Sequence, residues 1–456
     1  MENRIEKRKN VSFDKNREYA KILSEMINCK TVFTKEGENA AEFEKFYSVI
    51  DKNFPNIKKK AKRLTFGSGC FAYVIEGKNA AKNIMLMSHH DVVDGGEGWD
   101  TDPFSATEKD GYLYGRGTID TKTPLFAELM AMEELLAEGF ELSGANLYIA
   151  SSNNEECSGD GMVLAAEYFK KEGIFFDTVL DEGGAITEGM IPGVKCKSAV
   201  VAVHEKSRHL FCCKTVTEKQ SGHGSFAKSS LTPPERMSLF IAEVRKKSEK
   251  IYKAKFHPEV RATFERHVPY MSFPMNFLFG NVSVFSPIIK KIMSGIPAAS
   301  AMLKTSVAFT DLSTTVPNGA QTGTKEAEAT MYLRCIREDD LYSGLDEIKK
   351  IAKKYGIEIE ETLRDYCKPT DFNKKAFCEV EKLLHKNFPD VAVAPFLLTA
   401  GTDARRLTDV AENILRFAPI DLNKAQFASI HGANEHIAIE NIGECVLFYK
   451  DFIKNI

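Results

Sequence analysis

The sequence has no CxxC pair; its ten cysteines are scattered, apart from the adjacent Cys212 and Cys213. A chain of 456 residues needs no disulfide staples, so reduced thiols in a cytosolic protein are the expectation. No apolar run approaches the ~20 residues of a membrane span. The basic start of the chain, Met-Glu-Asn-Arg-Ile-Glu-Lys-Arg-Lys, leads into no apolar stretch, so no secretory signal is read there. Cytoplasmic location and no membrane partner are therefore expected. Charge of one sign is also lacking. The 61 basic and 64 acidic residues leave a net charge of −3, which excludes the electrostatic footprint of a nucleic-acid binder. The basic runs Lys58-Lys59-Lys60 and Arg245-Lys246-Lys247 lie among helical residues and read as solvated faces. There is no internal repeat and no low-complexity tract.

Hydrophobic residues make up 43% of the chain, enough for two cores, and the length implies two domains at ~100–200 residues each. Residues 13–53 carry apolar side chains at helical spacing, with Ala20, Ile22, Leu23, Met26 and Ile27 on one face. Short apolar strands then alternate with helices: a strand at 84–87, a helix at 125–136, a strand at 147–150, a helix at 162–169 and a strand at 178–180. That alternation predicts βαβ units and a mostly parallel sheet. After Pro192 the texture changes. Residues 198–203 and 210–217 read as strands of an antiparallel sheet, followed by a helix at 234–247 and a Pro- and Phe-containing stretch over roughly 255–300. A strand at 327–335, a helix at 341–355 and a strand at 357–363 complete a small α+β domain inserted into the first. The expected division is a larger domain from 1–196 and 367–456, with an inserted domain at 197–366.

Five clusters of histidine and carboxylate stand in one order: His89-His90-Asp91, Asp120, Glu155-Glu156, Asp181 and His431. Three of them follow predicted strands, and open α/β sheets bind ligands beyond the carboxyl ends of their strands. In extended chain, residues i and i+2 share a side, so His89 and Asp91 can face one site while His90 faces away. Asp91 could accept the second ring N–H of His89 and fix its tautomer. Asp120 precedes a helix and would suit a plain N-cap. Glycines 115 and 117 around Arg116 argue instead for a conformationally special loop, and one Asp can bridge two ions. The adjacent carboxylates of Glu155 and Glu156 diverge, so one can bind metal while the other holds a water. Asp181 reads equally as turn chemistry, and a lone His431 as a packed or exposed imidazole. Each cluster is weak alone. Together they form the ligand inventory of a two-metal hydrolase. Imidazole and carboxylate without thiolate suit zinc, with cobalt or manganese as alternatives.

At these residues the chain resembles the M20 family of co-catalytic zinc peptidases and deacylases. Met87-Ser88-His89-His90-Asp91-Val92-Val93 and Leu113-Tyr114-Gly115-Arg116-Gly117-Thr118-Ile119-Asp120-Thr121-Lys122 match two family motifs. Leu180-Asp181-Glu182-Gly183-Gly184, Thr402-Asp403-Ala404-Arg405 and Leu415-Arg416-Phe417-Ala418-Pro419 are similar to the carboxypeptidase S and N-acyl-amino-acid hydrolase branch. The resemblance implies two zinc ions per chain bridged by Asp120, one completed by His89 and Asp181, the other by Glu156 and His431. It implies Glu155 as general base and Asp91 as the residue orienting His89. It implies His223, within Ser221-Gly222-His223-Gly224-Ser225 of the inserted lid domain, as oxyanion donor, supplied in dimeric relatives by the partner subunit. A homodimer through the lid is accordingly an expected assembly. Arg334, Thr402, Asp403 and Arg405 fall where relatives handle the substrate carboxylate. Three departures touch no implied metal ligand: Asp94 in place of Pro, Asn318-Gly319-Ala320-Gln321-Thr322-Gly323 in place of an Asn-Val-Ile-Pro pattern, and His436 in place of Arg.

The expected reaction is metal-assisted hydrolysis of an amide or peptide bond beside a free carboxylate, as in a carboxypeptidase or dipeptidase. An N-acyl-amino-acid deacylase would use the same machinery with a greasier pocket. The reading from another class is a catalytically idle metal-binding protein, against which the intact Glu155 argues.

Overall fold

The computed structural model describes residues 11–217, 231–315 and 324–456. A ten-stranded sheet forms the larger layer. At its centre the strands Ser143–Ser152, Lys78–His89, Phe176–Asp181 and Ala411–Arg416 run parallel and side by side. Their carboxyl ends meet at one rim, with His89 paired to Ser152 and Arg416 to Asp181. Strands buried on both faces need near-continuous apolar sequence. The helix Lys122–Ala137 covers one face and is buried along almost its whole length between the sheet and the helices Phe13–Ile27 and Ile439–Lys454. Met85, Met87, Phe169, Phe176 and Val179 fill the opposite side, beneath the helix Gly161–Lys171.

A separate four-stranded antiparallel sheet takes the order Ser306–Thr315, Glu326–Cys335, Ser207–Val216, Glu358–Asp365. The helices Pro233–Ile251 and Glu338–Tyr355 pack on it through Met237, Phe240, Leu345 and Ile348. Local chemistry sets these helix ends. Thr232 and Glu235 make a reciprocal capping box, and Gly356 closes the second helix in the left-handed region at φ 63°. The stretch read as Pro- and Phe-rich folds into the helices Pro258–His267, Met275–Gly280, Val282–Ser294 and Pro297–Ala301 around their own core.

One sequence expectation is corrected. Residues 198–203 do not belong to the small sheet. The strand Ser198–Glu205 is buried at every position and lies in the ten-stranded sheet, parallel to Ala392–Leu398. Its uniform burial, against the strict alternation of Ser207–Val216, separates a strand covered on both faces from one covered on a single face. The chain passes between sheets at Lys206.

Buried ion pairs fasten this joint. Arg416 is fully buried; its Nε donates to Glu205 Oε2 at 2.7 Å and to Thr402 Oγ1 at 3.2 Å. Asp365, where the chain returns, accepts from Arg405 at 2.8 Å, Arg406 at 2.8 Å and Arg208 at 3.1 Å. Removing one member of a buried pair leaves an uncompensated charge. Arg416→Met is therefore expected to lower the unfolding free energy by about 3–5 kcal/mol, read from urea transitions, with Glu205→Gln in the same chain recovering part of the loss.

Candidate metal centre and active site

Each central strand delivers its cluster to the same rim. His89 ends its strand, Glu155 and Glu156 follow Ser152 after two asparagines, and Asp181 ends the third strand. His90 turns away, as alternation requires. Its ring stacks on Phe46 at 5.0 Å between centroids, and Nδ1 lies 2.8 Å from Ser151 Oγ.

Asp120 sits between two imidazoles. Its Oδ1 is 3.0 Å from His89 Nε2 and its Oδ2 is 3.0 Å from His431 Nε2. Glu156 Oε2 lies 3.2 Å from the same His431 nitrogen. Ligand atoms of His89, Asp120 and Glu156 all fall within 4.8 Å of one another. Glu156 Oε1 is buried with no hydrogen-bond partner. A carboxylate with one oxygen toward each of two imidazoles, and an orphaned oxygen beside it, is a donor set that a divalent cation fits.

The loop carrying Asp120 is held from a distance. The Glu435 carboxylate is fully buried and accepts from Arg116 Nη1 at 2.8 Å and from the backbone amides of Gly117, Ile119 and Asp120 at 3.2, 2.7 and 3.1 Å. Gly117, at φ 88°, has no room for a side chain, since a Cβ would lie 2.9 Å from Val92 and 3.2 Å from Lys122. A three-stranded sheet of Thr107–Lys109, Tyr112–Tyr114 and His436–Ala438 brings Glu435 there, and His431 with it, at a left-handed φ of 59°. The departure His436 finds its reason here: its ring stacks on Tyr114 at 4.7 Å.

Asp91 does more than the sequence reading assigned. Its Oδ1 and Oδ2 accept from the amides of Glu155 and Glu156 at 3.1 Å each. The group closest to His89 Nδ1 is the Asp91 backbone carbonyl at 2.9 Å, with the carboxylate at 3.5 Å. One side chain thus positions the turn that presents both glutamates.

The electrostatics are those of crowded acids. Burial, together with the charges of Asp403, Asp91 and Glu156, holds Glu155 well above the usual carboxylate range. Burial also pushes Asp181 up to about 6 and Glu182 well above its usual value. Against its burial, hydrogen bonds with His431 and His89 keep Asp120 ionised and low. Hydrogen bonds with Asp120 and Glu156 push His431 up to about 10. Excess negative charge that only protons or cations can neutralise is what metal uptake exploits.

Asp181 is not part of the close donor group. Its carboxylate accepts from Ala404 N at 3.2 Å and from the Glu182 amide. Glu182, which sequence reasoning passed over, acts electrostatically on Asp120, His89 and Glu155. Glu435 was likewise passed over. It sits four residues after His431, and its partners lie more than three hundred residues away, so no local pattern exposes it. Of the carboxylate-handling candidates, Thr402 binds Glu205 through N and Oγ1, and Arg405 is spent on Asp365 and the Thr402 carbonyl. Arg334 lies close to Arg405 across Gly401 and keeps a buried Nε without a partner. Asp403 is buried near Asp91 and Ser152, with burial holding its carboxyl above the usual range. His223 and the 318–323 segment lie outside the described residues.

Residues 85–455 match the model of Peptidase family M20/M25/M40. An N-fatty-acyl-amino acid synthase/hydrolase from Xenopus tropicalis is 29% identical over 453 residues, covering 96% of this chain and 86% of the relative. A Dictyostelium discoideum protein named probable carboxypeptidase S-like 2 is 29% identical over 453 residues, covering 96% and 85%. The solved structure of an M20 family metallo-carboxypeptidase from Sulfolobus solfataricus aligns with a TM-score of 0.68 at 17% identity, covering 96% of this chain and 98% of that one. This last likeness shows a common fold.

Because Glu435 holds the Asp120 loop without itself entering the donor group, Glu435→Gln is expected to fold yet bind divalent metal about 10–100-fold more weakly. Competition with a coloured chelator measures this, and unchanged affinity would remove Glu435 from the site.

Proposed function

This chain belongs to peptidase family M20/M25/M40, and on that premise we propose that it is a two-metal hydrolase of amide bonds beside a free carboxylate, with Glu155 as its general base. The observation that carries this reading is the placement of Glu155: half-buried on the turn that Asp91 holds, next to the donor group but not part of it. A carboxylate that only filled space would not be kept at such electrostatic cost. His89, Asp120, Glu156 and His431 would hold the ions. Zinc suits the donors, with cobalt or manganese as alternatives. When bound, two such ions polarise the scissile carbonyl and acidify a water. Glu155 takes the water proton and returns it to the leaving amine, a task its raised affinity for protons suits.

For the fifth ligand we favour Glu182 over Asp181. The Asp181 carboxylate is occupied by the amides of Ala404 and Glu182, whereas the Glu182 charge acts on His89 and Asp120. Glu182→Gln is expected to cost about one bound metal per chain and Asp181→Asn none, by elemental analysis of the purified variants. The reverse pattern restores Asp181.

Arg334 is the favoured anchor for the substrate carboxylate, with Thr402, Asp403 and Arg405 shaping the wall around it. The divided catalytic domain and the inserted lid, with its start moved to Lys206, complete the proposal. His223 of the lid would donate to the oxyanion, in cis or from a partner in a homodimer. Ten free cysteines fit work in the cytoplasm.

Two substrate classes share this machinery. Peptides ending in a free carboxylate are the first. N-acyl amino acids are the second, favoured by the Xenopus tropicalis relative's name. A panel of dipeptides and N-acyl amino acids, assayed before and after chelation, separates them. Glu155→Gln is expected to keep its metal while kcat falls by about 10²–10⁴-fold. Near-wild-type turnover in that variant sinks the assignment, and failure of the whole panel with metal restored favours an idle metal-binding protein.

A further inference from the structure

The helices that follow Pro258 expose more large apolar side chains than their packing requires. Phe273, Phe277, Val284, Ile288, Ile292 and Ile296 are each more than half exposed, Phe273 reaching 79% and Val284 72%. Along the helix Val282–Ser294 the positions 284, 288 and 292 recur every four residues and form one stripe. A different set, Val282, Ile289 and Met293, makes the buried face of the same helix. The helix therefore carries two apolar faces, and the core uses one. Phe277 extends the outer face, its ring 5.4 Å from that of Phe285.

Charge singles out the same region. Residues 266–310 contain no Asp or Glu, in a chain with 64 of them. Lys290 and Lys291 stand on the helix itself, and neither ion-pairs among the described residues. Lys291 is exposed beside the stripe, three residues past Ile288.

An occupant must accept an apolar ridge with an exposed lysine at its side. A second copy docked about a twofold axis would bring Lys291 toward Lys291 of the other copy, with no Asp or Glu in residues 266–310 to receive it. An anionic lipid surface meets both demands, because apolar side chains enter the boundary between headgroups and acyl chains while the lysine faces the headgroups. We propose that the helices Met275–Gly280 and Val282–Ser294 dock the protein onto an anionic bilayer surface through this ridge. The inference goes beyond the catalytic reading and does not rest on it. It revises the sequence expectation of no membrane partner, since an interfacial helix needs no spanning run; none of the described helices is long and apolar enough to cross a membrane.

Flotation with phosphatidylcholine vesicles, with and without phosphatidylglycerol, tests the proposal on the full chain. The protein is expected to float with the phosphatidylglycerol vesicles and less so at high salt. A Val284→Ser, Ile288→Ser, Ile292→Ser variant should partition at least about tenfold more weakly, and Lys291→Gln should weaken the preference for anionic lipid, whereas Lys290→Gln, on the other side of the helix, should not. Unchanged far-ultraviolet circular dichroism and thermal midpoint of the serine variant show that the ridge was removed without unfolding. A wild-type protein that stays with neither vesicle overturns the proposal, as does a serine variant that floats like wild type. Wild-type self-association abolished by the serine changes, with no flotation, assigns the ridge instead to an interface between copies.

Discussion

The clamp of Glu435 on residues 116–120 is the constraint on which the rest of the site depends. One carboxylate receives three backbone amides and a guanidinium, and those donors fix the path of the chain up to Asp120. Burying an anion and a cation is costly unless the geometry is good and the remaining donors are satisfied. Here Arg116 also lies over the Trp99 ring, 5.3 Å from its centroid, and its Nη2 reaches the carbonyls of Asp94 and Gly95. The same segment that supplies Glu435 supplies His431. The two oxygens of Asp120 can therefore face His89 and His431 only while a loop near the end of the chain and a loop near position 120 are locked together. A bridging carboxylate tolerates little play, because a shift toward one imidazole is a shift away from the other.

That precision is set against repulsion. Asp91, Glu155, Glu156, Asp181, Glu182 and Asp403 crowd around Asp120, and burial and mutual charge raise the proton affinity of several. A core built only for stability would carry apolar side chains at these positions. The crowding is tolerable where cations bound by the folded chain and not by the unfolded one stabilise it by mass action. The site is thus a local exception to the rule that residues agree with their surroundings, and such exceptions mark function.

Much of this was legible in the sequence wherever a side chain's role follows from its place on a strand. His89, Glu155 and Glu156 sit just past apolar runs, so the parallel sheet and its active rim could be read together, and the outward turn of His90 followed from alternation alone. Three things could not be read this way. The strand Ser198–Glu205 was assigned to the wrong sheet because an apolar run does not say what covers its second face. Glu435 was missed because its meaning lies in contacts across the whole chain. Asp181 and Glu182 could not be told apart by sequence: in adjacent positions either carboxylate could face the rim, and it is the Ala404 amide on Asp181 that distinguishes their surroundings. The exposed ridge of Val284, Ile288 and Ile292 escaped for a related reason, since its spacing matches a core helix and only the fold reveals that another face is already buried.

The joint between the two sheets then acquires a chemical purpose. The candidate metal-holding groups lie on the rim of the large sheet, whereas Arg334, with a buried Nε that has no partner, belongs to the small one. On the proposed function, a substrate held by its carboxylate at one and cleaved at the other would sense the distance between them, and an error of about 1 Å in such positioning can cost about 10²-fold in rate. Arg405, Arg406, Arg416 and Arg208 are drawn into Glu205 and Asp365 at the two points where the chain crosses between sheets. Those pairs fix both crossings, and with them the placement of the strand that carries Arg334 relative to the rim of the large sheet.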